Sequence, residues 1–288
     1  MRLRLLTLAD IPGAMRLKDA AGWNQTALDW ERLISASPEG CFAAEHNGRL
    51  LGTSTTITYE DRFAWIGMVV VDAQYRGHGI GTDLLRAAIQ YLDSRTVPCM
   101  KLDATPLGKP LYEKLGFVSE YEVGRWMFRR NHVGTGASPA RAARQGQHNP
   151  GNPDLEDALV LDRQIFGADR SRLLRSLAQE APEFAVTIRQ GQTVAGYAFG
   201  RRGSRADHLG PWMARNQDTA ARLLEEFLER STRQLVFADC VQRNAWAVRL
   251  VRARGFEFSR PLTRMFRGTN QHPGQHELLC AILGPEFG

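Results

Sequence analysis

The sequence predicts an α/β (α+β) chain made of two successive units, each running helix, hairpin, strand, long helix, strand, short helix, strand. Three observations carry this. Residues 131–153, NHVGTGASPARAARQGQHNPGNP, have no hydrophobic period, are rich in Gly, Pro, Ala, Gln and Arg, and divide the chain near its middle. Matching residues recur in the same order on both sides of that stretch. In the first half, an apolar strand runs through a glycine-rich turn into an amphipathic helix, which is how a chain builds a phosphate cradle.

The recurrence is read element by element. Asp10-Ile11-x-x-Ala14-Met15-x-Leu17 matches Asp154-Leu155-x-x-Ala158-Leu159-x-Leu161, each the start of an N-capped amphipathic helix. Phe42-Ala43 followed by Gly48 and Gly52 parallels Phe184-Ala185 followed by Gly191 and Gly196, each a pair of strands joined by a tight turn. Leu84-Leu85 parallels Leu223-Leu224 within a helix, and Gly116-Phe117 with Arg125 parallels Gly255-Phe256 with Arg264. The last two matches share one offset, 223 − 84 = 255 − 116 = 139. Ordered matches at a nearly constant offset imply an internal duplication. The expected division is 1–130, a linker at 131–153, and 154–288.

At 288 residues, with 43% apolar and 24% charged side chains, each half can bury its own core. The formal charge is +6. Arginine is scattered, without the runs and interleaved aromatics of a nucleic-acid surface, so the excess suits an anionic small ligand better than nucleic acid. Cys41, Cys99, Cys240 and Cys280 form no C-x-x-C pair and read as buried apolar residues in a reducing compartment. No histidine has metal-ligand spacing, so no metal is expected. Asp10 and Pro12 end the first apolar stretch too early for a signal peptide, and no run of roughly 18 apolar residues exists. The expectation is a cytoplasmic protein without a membrane partner.

The chemistry concentrates at Val69-Val70-Val71-Asp72-Ala73-Gln74-Tyr75-Arg76-Gly77-His78-Gly79-Ile80-Gly81-Thr82. The segment Trp65–Val71 is apolar and β-branched, and the helix that follows carries Leu84, Leu85, Ala88, Ile89 and Leu92 at helical period. Glycines let backbone N–H groups close on a ligand, and the helix N-terminus favours an anion. A dinucleotide fingerprint fails because Thr82 stands where its third glycine belongs, and the G-K-[ST] of a Walker loop is absent. The pattern present is Arg76-x-x-Gly79-x-Gly81. A second segment, Leu102-Asp103-Ala104-Thr105-Pro106 to Tyr112-Glu113-Lys114-Leu115-Gly116-Phe117, is a strand, a Pro/Gly turn and a short helix ending at Gly116.

Together these two motifs resemble the GCN5-related N-acetyltransferase (GNAT) family over residues 4–130. The resemblance implies a mixed, mostly antiparallel twisted sheet flanked by helices in each of two GNAT-like domains. It implies acetyl-CoA as co-substrate, its pyrophosphate at Arg76, Gly77, His78, Gly79, Ile80, Gly81 and Thr82. Its pantetheine arm would enter a split between the strands near 65–71 and 100–105 and pair with backbone around Val69, Val70 and Val71, and backbone N–H near Val69 would stabilise the oxyanion. Tyr112 matches the family's tyrosine that protonates the departing sulfur, and a phenol holds its proton at neutral pH.

The expected reaction is therefore acetyl transfer to a primary amine of a small molecule or peptide. The family's frequent strand glutamate is missing: Phe63, Trp65 and Met68 stand there, leaving as the base Glu60, Asp61, Asp103 at the end of the second splayed strand, or water relayed to solvent. Trp23, Asn24, Gln25 and Trp30, around the break between the first two helices, can stack and hydrogen-bond and are expected at the acceptor site. A non-catalytic acyl-CoA sensor is the alternative; a retained Tyr112 speaks for an enzyme. A homodimer is compatible with this reading.

At the 139 offset the second half replaces the cradle by Arg215, Asn216, Asp218 and Ala220, and Tyr112 by Val251. It is expected to be a degenerate copy that buttresses the first unit and can wall the acceptor pocket, completed by a strand at Leu278–Leu283.

Overall fold

The structure, a computed structural model, describes residues 1–130 and 153–288; the expected linker lies almost entirely outside them. The first half runs β1 (Arg2–Leu5), α1 (Ile11–Ala20), α2 (Ala27–Ala36), β2 (Phe42–His46), β3 (Arg49–Tyr59), β4 (Phe63–Val71), α3 (Ile80–Ser94), β5 (Cys99–Ala104), α4 (Lys109–Lys114) and β6 (Val118–Arg129). The second runs α5 (Pro153–Phe166), α6 (Ser171–Glu180), β7 (Val186–Gln190), β8 (Thr193–Arg202), β9 (Asp207–Ala214), α7 (Gln217–Arg230), β10 (Leu235–Val241), α8 (Ala245–Ala253), β11 (Glu257–Gly268) and β12 (Leu279–Ala281). The order from α1 to β6 repeats from α5 to β11; among the described residues β1 has no counterpart in the second half and β12 none in the first.

All strands form one sheet, ordered β1-β2-β3-β4-β5-β11-β6-β10-β12-β9-β8-β7. Among the described residues only β4 with β5 and β9 with β10 run parallel; the sheet is mixed and mostly antiparallel, with helices on its faces. The helices are there because their apolar period gives each one face to bury. Leu84, Leu85, Ala88, Ile89 and Leu92 of α3 are buried, as are Leu223, Leu224 and Phe227 of α7, each large side chain contributing about 1.5–3 kcal/mol.

The two halves exchange their long last strands. β11 pairs with β5, from Thr263 opposite Ala104 to Gly268 opposite Cys99. Reciprocally, β6 pairs with β10, from Leu235 opposite Arg129 to Val241 opposite Val123, and β6 and β11 pair with each other at the centre. The same ion pair seals both exchanges. Arg264 on β11 grips Asp103 on β5 at 3.0 and 2.9 Å, and Arg125 on β6 grips Asp239 on β10 at 2.8 and 2.7 Å. The arginines are the pair related by the 139 offset. Both are buried, where bidentate geometry is what makes an ion pair tolerable.

Candidate active site

The strand that leads to the glycine turn is interrupted. Thr53 of β3 lies opposite Val70, but Thr55 lies opposite Gly67, so Met68 and Val69 of β4 face one residue of β3. This β-bulge puts Met68 at φ 52°, the left-handed region a bulky side chain avoids, and Thr53 Oγ1 holds it by donating to Met68 O at 2.7 Å. On its other side β4 pairs with β5 only at Ala64 and Trp65 and then diverges. A split opens there with its β4 polar backbone on one wall. Strain of this kind persists where the fold over-determines it, and such places are commonly functional.

The split ends at the glycine turn. Asp72 anchors the turn by capping Gln74 N at 3.2 Å and accepting from Arg16 and Arg49 at 2.9 Å each; the Arg16 guanidinium leads in holding its carboxyl below the usual range. Gly77 and Gly79 have φ of 80° and 82°, and a Cβ added at either meets nothing within 4 Å. Gly79 is the N-cap of α3 and brings no side-chain cap, so the first-turn N–H groups of Ile80, Gly81 and Thr82 open onto free space. Arg76 and His78 fold back on the turn, Arg76 Nε donating to Val71 O at 3.2 Å and His78 Nδ1 lying 2.9 Å from Arg76 O. Val69, Val70 and Val71 close β4 beside it. The residues Val69 to Thr82 are thus brought together as one lip, and an uncapped helix start with room before two glycines fits a pyrophosphate.

At the other end of the split lies a cavity of about 90 Å³. Trp23, Gln25, Gly67, Val69, Asp103, Tyr112, Arg260 and Glu286 are among its walls. Tyr112 packs edge-on against Phe117, its hydroxyl makes no hydrogen bond among the described residues, and burial pushes its pKa up to about 12, so it stays a proton donor. Asp103 faces the cavity with both oxygens held by Arg264; burial raises its pKa, against that pairing. The pair recurs as Asp239–Arg125 in the other half, so its placement is that of a clasp on the exchanged strands. Glu60 is remote from the cavity, bound to Arg163 and Asp169 N.

Of the residues expected at the acceptor side, Trp23 and Gln25 line the cavity, whereas Asn24 and Trp30 do not. Asn24 is buried and ties the halves together: its Nδ2 donates to Ala206 O at 3.0 Å and its Oδ1 accepts from Arg205 N and Ala206 N. Trp30 is wholly enclosed in the core of the helix layer. A polar amide in a turn and an indole at helical period look alike in sequence whether they serve a ligand or the fold.

Four wall residues, Arg260, Leu262, Pro285 and Glu286, come from the second half and carried no sequence signal. They arrive because β11 lies beside β5 and because the segment after β12 crosses onto β4. Trp65 Nε1 donates to Pro285 O at 2.8 Å, Tyr59 donates to Phe287 O at 2.7 Å, and a Cβ on Gly67 would lie 2.9 Å from Glu286 O.

The second half has the same frame with its split filled. β8 and β9 repeat the bulge, with Gly210 and Pro211 opposite one residue of β8, and β9 and β10 pair in parallel and then part. Into that gap β12 inserts, bonded to both strands: Cys240 faces Ala281, Leu279 faces Met213, and Ile282 N donates to Asp239 O at 3.0 Å. The helix start is closed too, since Asn216 Oδ1 accepts from Thr219 N at 2.9 Å. Val251 is a core residue of α8. The strand expected at 278–283 therefore completes this sheet by occupying its opening.

Comparison with known proteins agrees with this duplicated frame. The model of the acetyltransferase (GNAT) family matches residues 13–117, and that of a second acetyltransferase (GNAT) domain matches 158–281. A holothin acyltransferase of Pseudoalteromonas sp. (strain SANK 73390) is 26% identical over 270 residues, 93% of this chain and 88% of that one. A mycothiol acetyltransferase of Thermomonospora curvata is 35% identical over 122 residues, 41% of this chain and 39% of that one. The same fold is found in an acetyltransferase-like protein of Pyrococcus horikoshii, with a TM-score of 0.78 at 22% identity over 100% of this chain and 95% of that one. A GCN5-related N-acetyltransferase of Sphaerobacter thermophilus gives 0.65 at 16% identity, covering 93% and 95%. With one match in each half and a fold shared along the whole chain, this protein belongs to the GNAT family and is an acyltransferase.

Proposed function

We propose that the protein transfers an acetyl group from acetyl-CoA to the primary amine of a small molecule or peptide, with a single working site in its first half. The observation that carries this reading is the contrast between the halves. One split is open, leads to an uncapped helix N-terminus and ends beside Tyr112; the other is filled by β12, capped by Asn216 and lacks the phenol. The names of the matched relatives, acyltransferases for holothin and mycothiol, support the class of reaction.

The pyrophosphate is held by the first-turn N–H groups of α3 and by Arg76, and the pantetheine arm by the unpaired edge of β4 at Val69–Val71. When bound, acetyl-CoA supplies an acyl carbon activated as a thioester, to which the amine nitrogen bonds as the carbon–sulfur bond breaks. Backbone N–H at the bulge, around Val69, stabilises the carbonyl oxygen as its charge develops. Tyr112 gives its proton to the sulfur.

The proton lost by the amine goes to Glu286. Arg264 balances Asp103 one to one, whereas Asp29, Glu180 and Glu286 have two guanidiniums between them, Arg32 and Arg201, which leaves that cluster with an excess negative charge. Burial raises the Glu286 pKa, as suits a base. The test is calorimetric titration of acetyl-CoA followed by thiol release over a panel of amines. One site per chain and turnover lowered about 10²- to 10⁴-fold in Tyr112→Phe, with donor affinity kept, is the expected result. Binding without turnover on any amine would favour an acyl-CoA sensor, and two sites would refute the filled second split.

A further inference from the structure

The charges around the cavity fail to cancel in two places, with opposite signs. The first is the cluster around Arg201, where three carboxylates, Asp29, Glu180 and Glu286, share two guanidiniums, Arg32 and Arg201, and the two buried ones, Asp29 and Glu286, both lean on Arg201. Gln25 belongs to it: its Nε2 donates to Glu286 Oε2 at 2.8 Å, and its Oε1 is buried with no hydrogen-bond partner. A bare acceptor oxygen beside an uncompensated negative charge is a place for N–H donors. The second is Arg260. It lies on the same face of β11 as Leu262 and Arg264, two and four residues along the strand, and lines the cavity with Leu262. Among the described residues no ion pair or hydrogen bond engages its side chain.

Arg260 is moreover beside a cation. Its register partner on β6 is Arg125, already held by Asp239. Burial and Arg125 bring the Arg260 pKa down to about 10, which leaves it charged at neutral pH. A half-buried guanidinium next to another, within the field of Asp239 and Glu286 but bonded to no carboxylate, is costly to keep. The remaining wall carboxylate, Asp103, is satisfied by Arg264. The cavity thus offers one excess negative and one excess positive site, on residues that the second half supplies or completes.

We propose that the acceptor is an amine that also carries a carboxylate, its nitrogen held at Gln25 Oε1 and Glu286 and its carboxylate paired with Arg260. The proposal rests on acetyl transfer in the first-half site and adds the class of acceptor. A guanidinium takes a carboxylate through two parallel hydrogen bonds, and hydrogen bonds to charged groups are worth about 10- to 100-fold in affinity. The second half then acts on specificity as well as on stability.

The test is thiol release from acetyl-CoA with matched acceptors: short α- and ω-amino acids and dipeptides, each against its own C-terminal amide. The amine is the same within a pair and only the carboxylate is neutralised. The wild type is expected to favour the acid over the amide by about 10- to 100-fold in kcat/KM. Arg260→Met should bring that ratio close to one, and Arg260→Lys, a point charge without the fork, should keep part of it. Thermal melting of both variants checks that they fold, and the Lys variant serves if the Met variant does not.

An equal fall for acids and amides in Arg260→Met would show a structural role and overturn the proposal. So would a wild type that turns over amides as readily as acids, which would leave acetyl transfer itself standing. Acetyl-CoA binding with no thiol release on any acceptor would overturn the underlying reading, and this proposal with it.

Discussion

Replacing Gly79 by valine tests the cradle against its counterpart in the other half. Gly79 sits at φ 82° and caps α3, and an added Cβ there meets no heavy atom within 4 Å. The protein therefore presents no steric obstacle, and the cost in stability is that of the left-handed backbone alone, about 1–2 kcal/mol and somewhat more for a β-branched residue. For a chain of this size that lowers the melting temperature by roughly 2–8 °C. The isopropyl group fills the space before the free N–H groups of Ile80, Gly81 and Thr82. Losing one hydrogen bond to an anion costs about 1.5–3 kcal/mol, so acetyl-CoA should bind about 10- to 100-fold more weakly. Asn216→Ala is the control. It removes the cap on Thr219 N and costs about 1 kcal/mol of stability, with no change in acetyl-CoA affinity. Melting and calorimetric titration of both variants give the comparison. Affinity within threefold of wild type in Gly79→Val, or a comparable loss in Asn216→Ala, would refute the assignment of the two helix starts.

Three further predictions concern the frame around the site. Arg201→Met leaves Glu286 buried without its cation and Asp29 with Arg32 alone, at 3.4 Å, and should cost about 3–5 kcal/mol in denaturant unfolding, with Asp29→Asn restoring part of it. Gly67→Ala drives a Cβ to within 2.9 Å of Glu286 O and 3.0 Å of its Cα, so the segment after β12 must shift; turnover should fall while acetyl-CoA affinity holds. His208 is buried and its pKa is brought down to about 3 by that burial, from about 6.5 in an unfolded chain. Its neutral form is the one the fold accepts, so its contribution is complete above pH 6.5 and is lost as pH falls toward 3. Melting temperature measured from pH 7 to pH 4 should drop less steeply in His208→Asn than in the wild type; equal slopes would remove His208 from the account.

Local chemistry was legible in the sequence. The apolar run that ends at Val71, the glycines at 77, 79 and 81 and the period of Leu84 to Leu92 sit on contiguous residues, and their strand, turn and helix follow from propensity and pattern alone. The duplication was legible for the same reason, since an offset is a one-dimensional quantity. Arg125 and Arg264 stood out as partners in that offset, but their common purpose appears only when each is seen gripping the other half's strand. The wall that the second half gives to the cavity was not legible. Glu286 reaches Gln25 across 261 residues of sequence, and no spacing rule connects them. Asn24 and Gln25, adjacent and chemically alike, go to different tasks, one clamping Ala206 and the other facing the cavity.

The exchange of β6 and β11 has a consequence for how such a protein can be taken apart. A chain cut between its halves would not yield a smaller working enzyme. The first piece would keep β6 with neither β11 nor β10 beside it, and β5 would have an open edge where Thr263–Gly268 now lie. Each fragment would carry the strand that the other needs, so the two should be insoluble apart and recover together when coexpressed. Two lone copies trading strands in this way would form a symmetric dimer; joined in one chain the copies need not match, and here one split is filled by β12 while the other stays open.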